Sequence, residues 1–354
     1  MTDAHYDHAL ALFGQGRHAE GVYVLAQAAQ AGHVSSMSLL GAQLLSGRGV
    51  AADTPSGIRL ILDAAARGGA FACATAANVC AWAAHTGRTD WPRALDFLQR
   101  AAELGHQPAR DQLRLLSGDR AGIDWGKLRR AVDIAALSRF PKAAPLSEDP
   151  LIHAVPGLLS PEICDALITA ARPRLAPAMI YDELRGGETP EEGRRLTSAG
   201  FGVTDADLVM MAVNERLCAL AGLPPCNAEG LQVMHYKIGD FFAPHFDAWD
   251  VGFAGHAATL AQQGQRVITV LVYLNDDLEG GETDFPRLGI RHRGAKGDGL
   301  MFRNVDARGG RDARMLHAGL PPTAGEKWLL SLWIRDRAPA TCGDPLVTAA
   351  MEGR

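Results

Sequence analysis

The spacing of apolar and polar residues differs between the first third of the chain and the part after residue 230. In the first third, apolar residues recur at helical spacing, as in GIRLILDAAARGG from Gly57 and RALDFLQRAAELGH from Arg93. After residue 230 they form short runs separated by Gly, Asp and Pro, namely LQVMHY, RVITVLVYLN, GDGLMFRN and KWLLSLWIR. Runs of this kind predict strands. The pattern therefore predicts a helical N-terminal region followed by a β domain.

The helical region carries an internal repeat. The phrases AAQAGH, AAARGG and AAELGH begin at Ala28, Ala64 and Ala101, which are 36 and then 37 residues apart (64 − 28 and 101 − 64). A period in this range is typical of stacked helical hairpins, and the glycine near the end of each phrase can cap a helix in the left-handed conformation. An unrelated Ala-rich bundle is the alternative. The unit SLLGAQLLSGRGVAADTPSGIRLILDAAARGG resembles a Sel1-type repeat, a relative of the tetratricopeptide repeat, and such arrays imply a surface that binds a partner protein.

The local composition of successive segments also predicts the domain organisation. The phrase RFPKAAPLSEDP, with two prolines and an acidic run, is typical of a linker. LLSPEICDALITAARPRL predicts a helix that Ser160 opens, and the polar stretch RGGETPEEGRR predicts a mobile loop at 185–195. Many short strands in the last part favour a jelly roll or a related barrel. We expect a multidomain α plus β protein with helical repeats, a linker region, a catalytic β domain and a C-terminal tail at residues 1–117, 118–149, 150–338 and 339–354.

Composition narrows the function classes. The 354 residues are 47% hydrophobic and 21% charged, which is enough apolar material for buried cores and argues against disorder. A formal net charge of -5 provides no general basic surface, so nucleic acid is not an expected partner. The N-terminus has no basic and then apolar signal pattern, and no apolar run is long enough for a membrane span. The six cysteines form no CxxC. We expect a cytoplasmic protein with buried, reduced thiols and no membrane contact.

One short motif indicates chemistry. HYKIGDFFAPHFDAWD places His245 and Asp247 two positions apart, and on an extended segment such residues project to the same side. An imidazole and a carboxylate together with one further histidine can hold Fe(II) on one face, with open positions opposite. His317, in MLHAGLPPTAGEKW, is available as the third ligand. His-x-Asp alone is a weak signal, so the hypothesis depends on its neighbours.

A lysine inside an apolar segment supports the same hypothesis. Lys327 lies in EKWLLSLW, ten residues after His317 (327 − 317). Burying an isolated ammonium group is unfavourable, so the side chain needs an anionic partner, which a dicarboxylate cosubstrate would supply. The alternative is a lysine whose amine reaches solvent from a strand edge.

Residues from about 150 to 336 resemble the prolyl 4-hydroxylase family of Fe(II)- and 2-oxoglutarate-dependent dioxygenases. The matching phrases occur in the family order and are LSPEICDALI, HYKIGDFFAPHFD, GQRVITVLVYLND, EGGETDFP, KGDGLMF and LHAGLPPTAGEKW. The resemblance implies a double-stranded β-helix, with iron held by His245, Asp247 and His317. It also implies that Lys327 pairs with the distal carboxylate of 2-oxoglutarate.

Three further residues are implied by the resemblance, each with a purely structural alternative. Tyr236 and Thr283 match positions that contact the cosubstrate, and they could equally be a core aromatic and a turn residue. Arg266 matches a position facing the substrate cleft, and it could be a strand-end cation. Trp249 is a candidate substrate contact. Trp249 and its apolar neighbours fit either a shield around the iron or an ordinary β core. The neighbours are Phe241, Phe242 and Phe246.

The implied activity is hydroxylation of an unactivated C–H bond with Fe(II), 2-oxoglutarate and O2, releasing succinate and CO2. A prolyl residue of a protein or peptide recruited by the repeats is the favoured substrate. RRLTSAGF is only similar to the family's Arg-Thr-Ser phrase near the substrate lid, which weakens the substrate assignment most. A hydroxylase of a free amino acid, a nucleic-acid demethylase and a non-catalytic scaffold with a vestigial barrel are the alternatives. The requirement for ascorbate and the oligomeric state stay open.

Overall fold

The fold is that of a computed structural model, which describes residues 2–83, 87–182, 187–190, 193–339 and 342–352. The chain divides into two units. The helical unit contains residues 1–136, 202–212 and 341–354, and the β unit contains residues 137–201 and 213–340. The predicted order of a helical array followed by an antiparallel β domain is confirmed.

The helical unit is built from α-helices joined by short turns. Its described helices before residue 137 are α1 (Thr2–Gly14), α2 (His18–Gln30), α3 (Val34–Ser46), α4 (Thr54–Ala66), α5 (Ala70–Ala81), α6 (Trp91–Glu103), α7 (Gln107–Ser117) and α8 (Trp125–Ala131). Successive helices pack against each other as hairpins.

Each repeat phrase is the end of one helix and the turn to the next. The phrases end α2, α4 and α6, and Gly32, Gly68 and Gly105 then adopt φ angles of 83°, 87° and 92°. These left-handed angles confirm the predicted caps. Close contact between helices explains why other positions in the helical unit are occupied by small residues. A Cβ on Gly57 would lie 2.8 Å from the carbonyl oxygen of Gly41 on the neighbouring helix, so only glycine fits there.

Two segments differ from the predicted boundaries. The 118–149 region contains α8, a short helix α9 (Ile134–Leu137) and strand β1 (Ala144–Glu148). The structure forms there because Asp124 accepts a 2.8 Å hydrogen bond from the Lys127 amide at the start of α8, and Leu128 is buried. Within the expected C-terminal tail, a helix at Pro345–Glu352 packs on α4, and Arg93 donates a 2.6 Å hydrogen bond to the Met351 carbonyl.

Residues 202–212 also belong to the helical unit, although they follow the first strands of the β unit. Asn78 donates a 2.6 Å hydrogen bond to the Ala206 carbonyl, and the Leu208 amide donates a 3.0 Å hydrogen bond to Gln112. Leu208 opens helix α11 (Leu208–Ala221), which follows α10 (Pro161–Ala171). The Ser160 side chain caps α10, as predicted, by accepting a hydrogen bond from the Ile163 amide.

The β unit consists of antiparallel strands and short helices. After β1, its described strands are β2 (Leu151–Val155), β3 (Ala176–Pro177), β4 (Met179–Asp182), β5 (Gly187–Pro190), β6 (Arg194–Arg195), β7 (Thr197–Phe201), β8 (Leu231–Tyr236), β9 (Phe241–His245), β10 (Arg266–Tyr273), β11 (Glu279–Gly280), β12 (Thr283–Phe285), β13 (Ile290–His292), β14 (Gly299–Arg303), β15 (His317–Gly319), β16 (Pro322–Ala324) and β17 (Lys327–Arg335). Helix α12 (Ala257–Gln263) precedes β10, and α13 is the C-terminal helix Pro345–Glu352. The four runs predicted as strands form β8, β10, β14 and β17.

Two larger sheets make the double-stranded β-helix. One has the order β1-β2-β14-β10-β17-β8-β7-β3, and the other has the order β13-β12-β15-β9-β6. β17 lies between β10 and β8 and is buried along its whole length, which explains why six of its nine residues are apolar. Part of the predicted loop 185–195 lies outside the described residues, at 185–186 and 191–192, whereas 187–190 pairs with β4 and Arg194–Arg195 pairs with β9.

The core of the β unit draws on both sheets. It contains Met234, Tyr236, Leu271, Tyr273, Phe285, Leu300, Phe302, Met315 and Leu329. The six cysteines are free, and five of them are buried. In the described residues, no helix combines the length and the apolar character that crossing a bilayer requires.

Candidate metal centre

Two neighbouring strands of the five-stranded sheet position the candidate metal ligands. His245 ends β9 and His317 begins β15, and the two residues are register partners in this antiparallel pair. Asp247 follows β9 after one intervening residue. Residues 72 apart in sequence (317 − 245) therefore meet because their strands are adjacent in the sheet.

The three side chains converge on one point. One ligand atom from each of His245, Asp247 and His317 lies within 4.8 Å of the others. His245 Nε2 is 3.7 Å from Asp247 Oδ1, and His317 Nε2 is 3.5 Å from Asp247 Oδ2. Across the described ranges this is the one cluster of three such side chains with metal-ligand spacing. Two imidazoles and one carboxylate are the donor set that suits Fe(II) with open positions.

Backbone carbonyls set the tautomer of both imidazoles. His245 Nδ1 lies 2.9 Å from the Ala243 carbonyl oxygen, and His317 Nδ1 lies 3.0 Å from the Met315 carbonyl oxygen. A carbonyl can only accept, so each Nδ1 carries the hydrogen and donates it. Nε2 of each ring is then left with a lone pair facing the other ligands, which is the form that binds a metal.

Aromatic rings hold the imidazoles in place. Phe242 stacks on His245 with ring centroids 3.5 Å apart and an interplanar angle of 10°. Phe302 and Phe285 lie 4.9 Å and 5.7 Å from the His317 ring. Of the residues expected to shield the site, Phe242 thus contacts a ligand directly, whereas Phe246 packs 4.4 Å from the Arg311 guanidinium.

Burial and neighbouring charges favour the metal-binding protonation states. Burial, with the facing His317, lowers the pKa of His245 to about 3, so this imidazole is neutral at pH 7. Burial by itself opposes ionisation of Asp247, but His317, His245 and a hydrogen bond from Thr269 outweigh it and hold the pKa of the carboxyl below its usual range. A neutral imidazole and an ionised carboxylate are the forms that donate electron pairs to a metal.

Lys327, the first residue of β17, lines a pocket that is also lined by His245, Asp247 and His317. Its side chain is 1% exposed, and Nζ lies 4.9 Å from the centre of the Tyr236 ring. In the described parts of the chain no hydrogen-bond partner reaches Nζ. Burial lowers the pKa of Lys327 to about 7. An unpartnered buried amine beside a three-donor cluster fits a cosubstrate that binds the metal at one end and carries a carboxylate at the other.

Tyr236 and Thr283 also line this pocket. Burial raises the pKa of the Tyr236 hydroxyl, which therefore stays protonated at neutral pH. Thr283 Oγ1 lies 3.0 Å from the hydroxyl of Tyr273, a residue that the sequence reasoning did not single out. Tyr273 itself donates to the His292 carbonyl at 3.0 Å, so the bond between the two hydroxyls is donated by Thr283.

Arg266 and Trp249 pack together, and the charge of Arg266 acts on Asp247. Arg266 donates two hydrogen bonds to Glu229, at 2.7 Å and 2.8 Å, and its guanidinium packs 4.3 Å from the Trp333 ring and 5.5 Å from the Trp249 ring. Gln265 bonds both the amide and the carbonyl of Trp249. Substrate contacts by Arg266 and Trp249 stay predictions, and the arginine already has an ionic partner.

Comparison with known proteins agrees with this geometry. Residues 231–335 match the model of the 2OG-Fe(II) oxygenase superfamily. Prolyl 4-hydroxylase 1 of Arabidopsis thaliana is 34% identical over 209 residues, which cover 54% of this chain and 71% of that protein. The chain therefore belongs to the prolyl 4-hydroxylase family of Fe(II)- and 2-oxoglutarate-dependent oxygenases, and it is an enzyme that uses Fe(II), 2-oxoglutarate and O2.

Two solved structures are each similar to part of the chain. The viral collagen prolyl hydroxylase of Paramecium bursaria Chlorella virus-1, in its 2-oxoglutarate complex, is 29% identical, with 52% of this chain and 94% of that chain covered and a TM-score of 0.41. A Sel1 repeat protein from Oxalobacter formigenes is 20% identical, with 39% and 61% covered and a TM-score of 0.30.

Proposed function

We propose that this enzyme hydroxylates prolyl residues of a cytoplasmic protein or peptide, that it releases succinate and CO2, and that its helical repeats recruit the substrate. The observation that carries the proposal is the pairing of the three-donor cluster with Lys327 Nζ, an amine that is fully buried and has no hydrogen-bond partner in the described structure. The names of the curated relatives support prolyl residues as the substrate class.

The residues present fit iron and 2-oxoglutarate. His245, Asp247 and His317 would hold the metal, and Lys327 would bind the distal carboxylate of 2-oxoglutarate. Iron and 2-oxoglutarate together supply the oxidising chemistry, in which one oxygen atom of O2 enters the substrate C–H bond and the other enters succinate as CO2 leaves.

The protein itself orients the metal ligands, keeps water away from them and sets their protonation states. The Ala243 and Met315 carbonyls keep both imidazoles turned with Nε2 toward the metal position. Phe242, Phe285 and Phe302 surround the two rings, which removes water from this side of the site. The carboxylate of Asp247 stays ionised because the electrostatic effect of His317, His245 and Arg266 and the hydrogen bond from Thr269 outweigh its burial.

The helical unit offers exposed apolar side chains that a protein substrate could cover. Tyr23 on α2 and Phe71 on α5 are 67% and 49% exposed. Helical arrays bind partners over extended surfaces, and a second contact far from the iron raises the effective concentration of the substrate at the active site.

Mass spectrometry of peptides tests this proposal. Lysate peptides are incubated with the full-length enzyme, Fe(II) and 2-oxoglutarate, with and without ascorbate, and matched reactions contain Asp247→Ala. We expect prolyl residues that gain one oxygen atom with the native enzyme alone. If only free amino acids gained oxygen, the substrate would be a small molecule and not a protein. Equal gain with Asp247→Ala would reject the proposal.

A further inference from the structure

A directed chain of hydrogen bonds lies behind the metal-binding carboxylate. Asn304 Nδ2 is 2.8 Å from Thr269 Oγ1, and Thr269 Oγ1 is 2.6 Å from Asp247 Oδ2. An ionised carboxylate can only accept, so Thr269 donates its single hydrogen to Asp247. The Thr269 oxygen then accepts from the Asn304 amide, and the chain has one direction, from Asn304 through Thr269 to Asp247.

The two donors lie on the inward side of the eight-stranded sheet, Thr269 within β10 and Asn304 directly after β14. Thr269 precedes Leu271 at alternate positions of β10, and Asn304 follows Phe302 at the end of β14. β10 and β14 are neighbours in the sheet. The Asn304 backbone is also fixed, because its amide donates to the Val267 carbonyl at 2.9 Å and its carbonyl accepts from the Asp312 amide at 3.0 Å. The donors are therefore part of the rigid barrel.

The need to pair buried polar groups with each other does not by itself explain why Thr269 and Asn304 are polar residues. Thr269 is 1% exposed and Asn304 is 2% exposed. Replacing both partners of a buried hydrogen bond by apolar groups of the same shape is close to neutral for stability, so packing alone would accept valine and leucine here. What the polar pair adds is a hydrogen bond to one oxygen of Asp247.

That hydrogen bond limits the rotation of the carboxylate. The terminal torsion of aspartate is broad, so a carboxylate held by nothing else samples many orientations. Thr269 uses one of the two acceptor sites of Oδ2, whereas Oδ1 lies 3.7 Å from His245 Nε2, beyond hydrogen-bond distance. Oδ1 is therefore the oxygen that keeps both of its lone pairs for an ion.

We propose that Thr269 and Asn304 are positioning residues for the metal site: Thr269 holds Oδ2 of Asp247 so that Oδ1 binds the ion, and Asn304 directs the Thr269 hydroxyl. This inference rests on the metal site of the proposed function. Neither residue lies among those that line the cosubstrate pocket, so both act through Asp247. Groups that orient metal ligands typically change metal affinity or activity about 10- to 100-fold when they are lost.

Titration of the metal-free, full-length protein with Co(II) by calorimetry tests the inference. We expect Thr269→Val to bind Co(II) about 10- to 100-fold more weakly than the native chain, and Thr269→Ser, which keeps the hydroxyl, to bind at the native affinity. The unfolding temperature of metal-free Thr269→Val should fall modestly, because Asn304 Nδ2 and Asp247 Oδ2 each lose their partner, so the Co(II) affinity is the measurement that separates positioning from stability. In turnover, kcat should fall while the apparent KM for 2-oxoglutarate stays unchanged, because Lys327 is intact.

Asn304→Leu provides a second, independent variant. Because Asn304 acts through Thr269, the double variant Thr269→Val with Asn304→Leu should bind Co(II) no more weakly than Thr269→Val alone. Equal Co(II) affinity of the native chain, Thr269→Val and Asn304→Leu would overturn the inference, as would a lower unfolding temperature with unchanged Co(II) affinity. Absence of Co(II) binding by the native chain would instead overturn the metal site itself.

Discussion

His245 and His317 face each other as register partners on β9 and β15, and the centroids of their rings are 4.3 Å apart. Asp247 lies between their Nε2 atoms. The metal position is thus defined by the register of one strand pair and by one residue just beyond it.

Removing a ligand should abolish metal binding. We expect Asp247→Ala and His317→Ala to lose Fe(II)-dependent succinate formation while the far-UV circular dichroism spectrum stays native, because two remaining donors hold iron poorly. Asp284→Ala is the matched control, since Asp284 pairs with Arg291 on the strand hairpin β12–β13 and takes no part in the cluster. Full turnover of either ligand variant at saturating Fe(II) would contradict the assignment.

Removing the buried amine should weaken 2-oxoglutarate binding. Lys327→Ala is expected to weaken 2-oxoglutarate binding by on the order of 2–5 kcal/mol, seen as a large rise in the apparent KM, because the carboxylate would lose its charged partner. Lys296→Ala serves as the control, since Lys296 pairs with Asp165 at the surface. A KM that Lys327→Ala leaves unchanged would place the anchoring cation elsewhere. Arg266 is the next cation to test, although its guanidinium is bound to Glu229.

The affinity for 2-oxoglutarate should fall as pH rises above 7. Burial lowers the pKa of Lys327 to about 7, so above this pH the unliganded amine is neutral, and binding a carboxylate requires it to take up a proton. The affinity should decline by up to about tenfold per pH unit above 7 and stay level just below it. Calorimetry with Co(II)-loaded protein, in buffers of different ionisation enthalpy, measures the proton uptake. Lys327→Arg should show none, because arginine stays charged.

Glycines of the helical unit should respond to substitution in opposite directions. Gly57→Ala places a methyl group 2.8 Å from the Gly41 carbonyl, so we expect it to lower the free energy of unfolding of the helical unit by about 1–3 kcal/mol. Gly14, at the end of α1, has no atom within 4 Å of its added Cβ, and Gly14→Ala should be neutral or stabilising. Urea unfolding followed by circular dichroism compares the two. Equal effects would argue against the close helix contact.

Surface substitutions test whether the array recruits the substrate. Tyr23→Ala and Phe71→Ala should weaken binding of the intact protein target by on the order of 1–2 kcal/mol at a residue that the target covers, which is measured as a rise in KM. Turnover of a short peptide from the same target should not change. Leu146→Ala, an exposed aliphatic position on β1, is the control.

Point substitutions are preferable to deleting the array, because residues 202–212 and 341–354 belong to the helical unit and would lose their packing. Native KM values in both array variants would argue against docking through these two side chains.

Local patterns predicted the main strands of the β unit, and together with the family resemblance they predicted the metal cluster. His-x-Asp on an extended segment and a lysine in an apolar run are short-range signals, and β8, β10, β14 and β17 coincide with the predicted runs. Thr269 and Asn304 were missed because their roles depend on which strands are neighbours. Thr269 looks like an ordinary β-branched strand residue until β10 is placed beside β14.

The helix Pro345–Glu352 was missed for a similar reason. Its eight residues are too few to form a stable helix by propensity, and it forms by packing on α4, which is remote in sequence. The assignment of residues 202–212 to the helical unit likewise rests on contacts with Asn78 and Gln112. Contacts between residues far apart in sequence cannot be inferred from periodicity.

The central claim is that this chain is a dioxygenase that uses His245, Asp247, His317 and Lys327 to couple 2-oxoglutarate to hydroxylation. Its most direct test is turnover under ¹⁸O₂ in ordinary water, with mass spectrometry of both products from a hydroxylated peptide. The account predicts ¹⁸O in the new hydroxyl group and in succinate, and neither product with Asp247→Ala. A hydroxyl oxygen that comes from water with the native enzyme, or labelled product formed without 2-oxoglutarate, would contradict it.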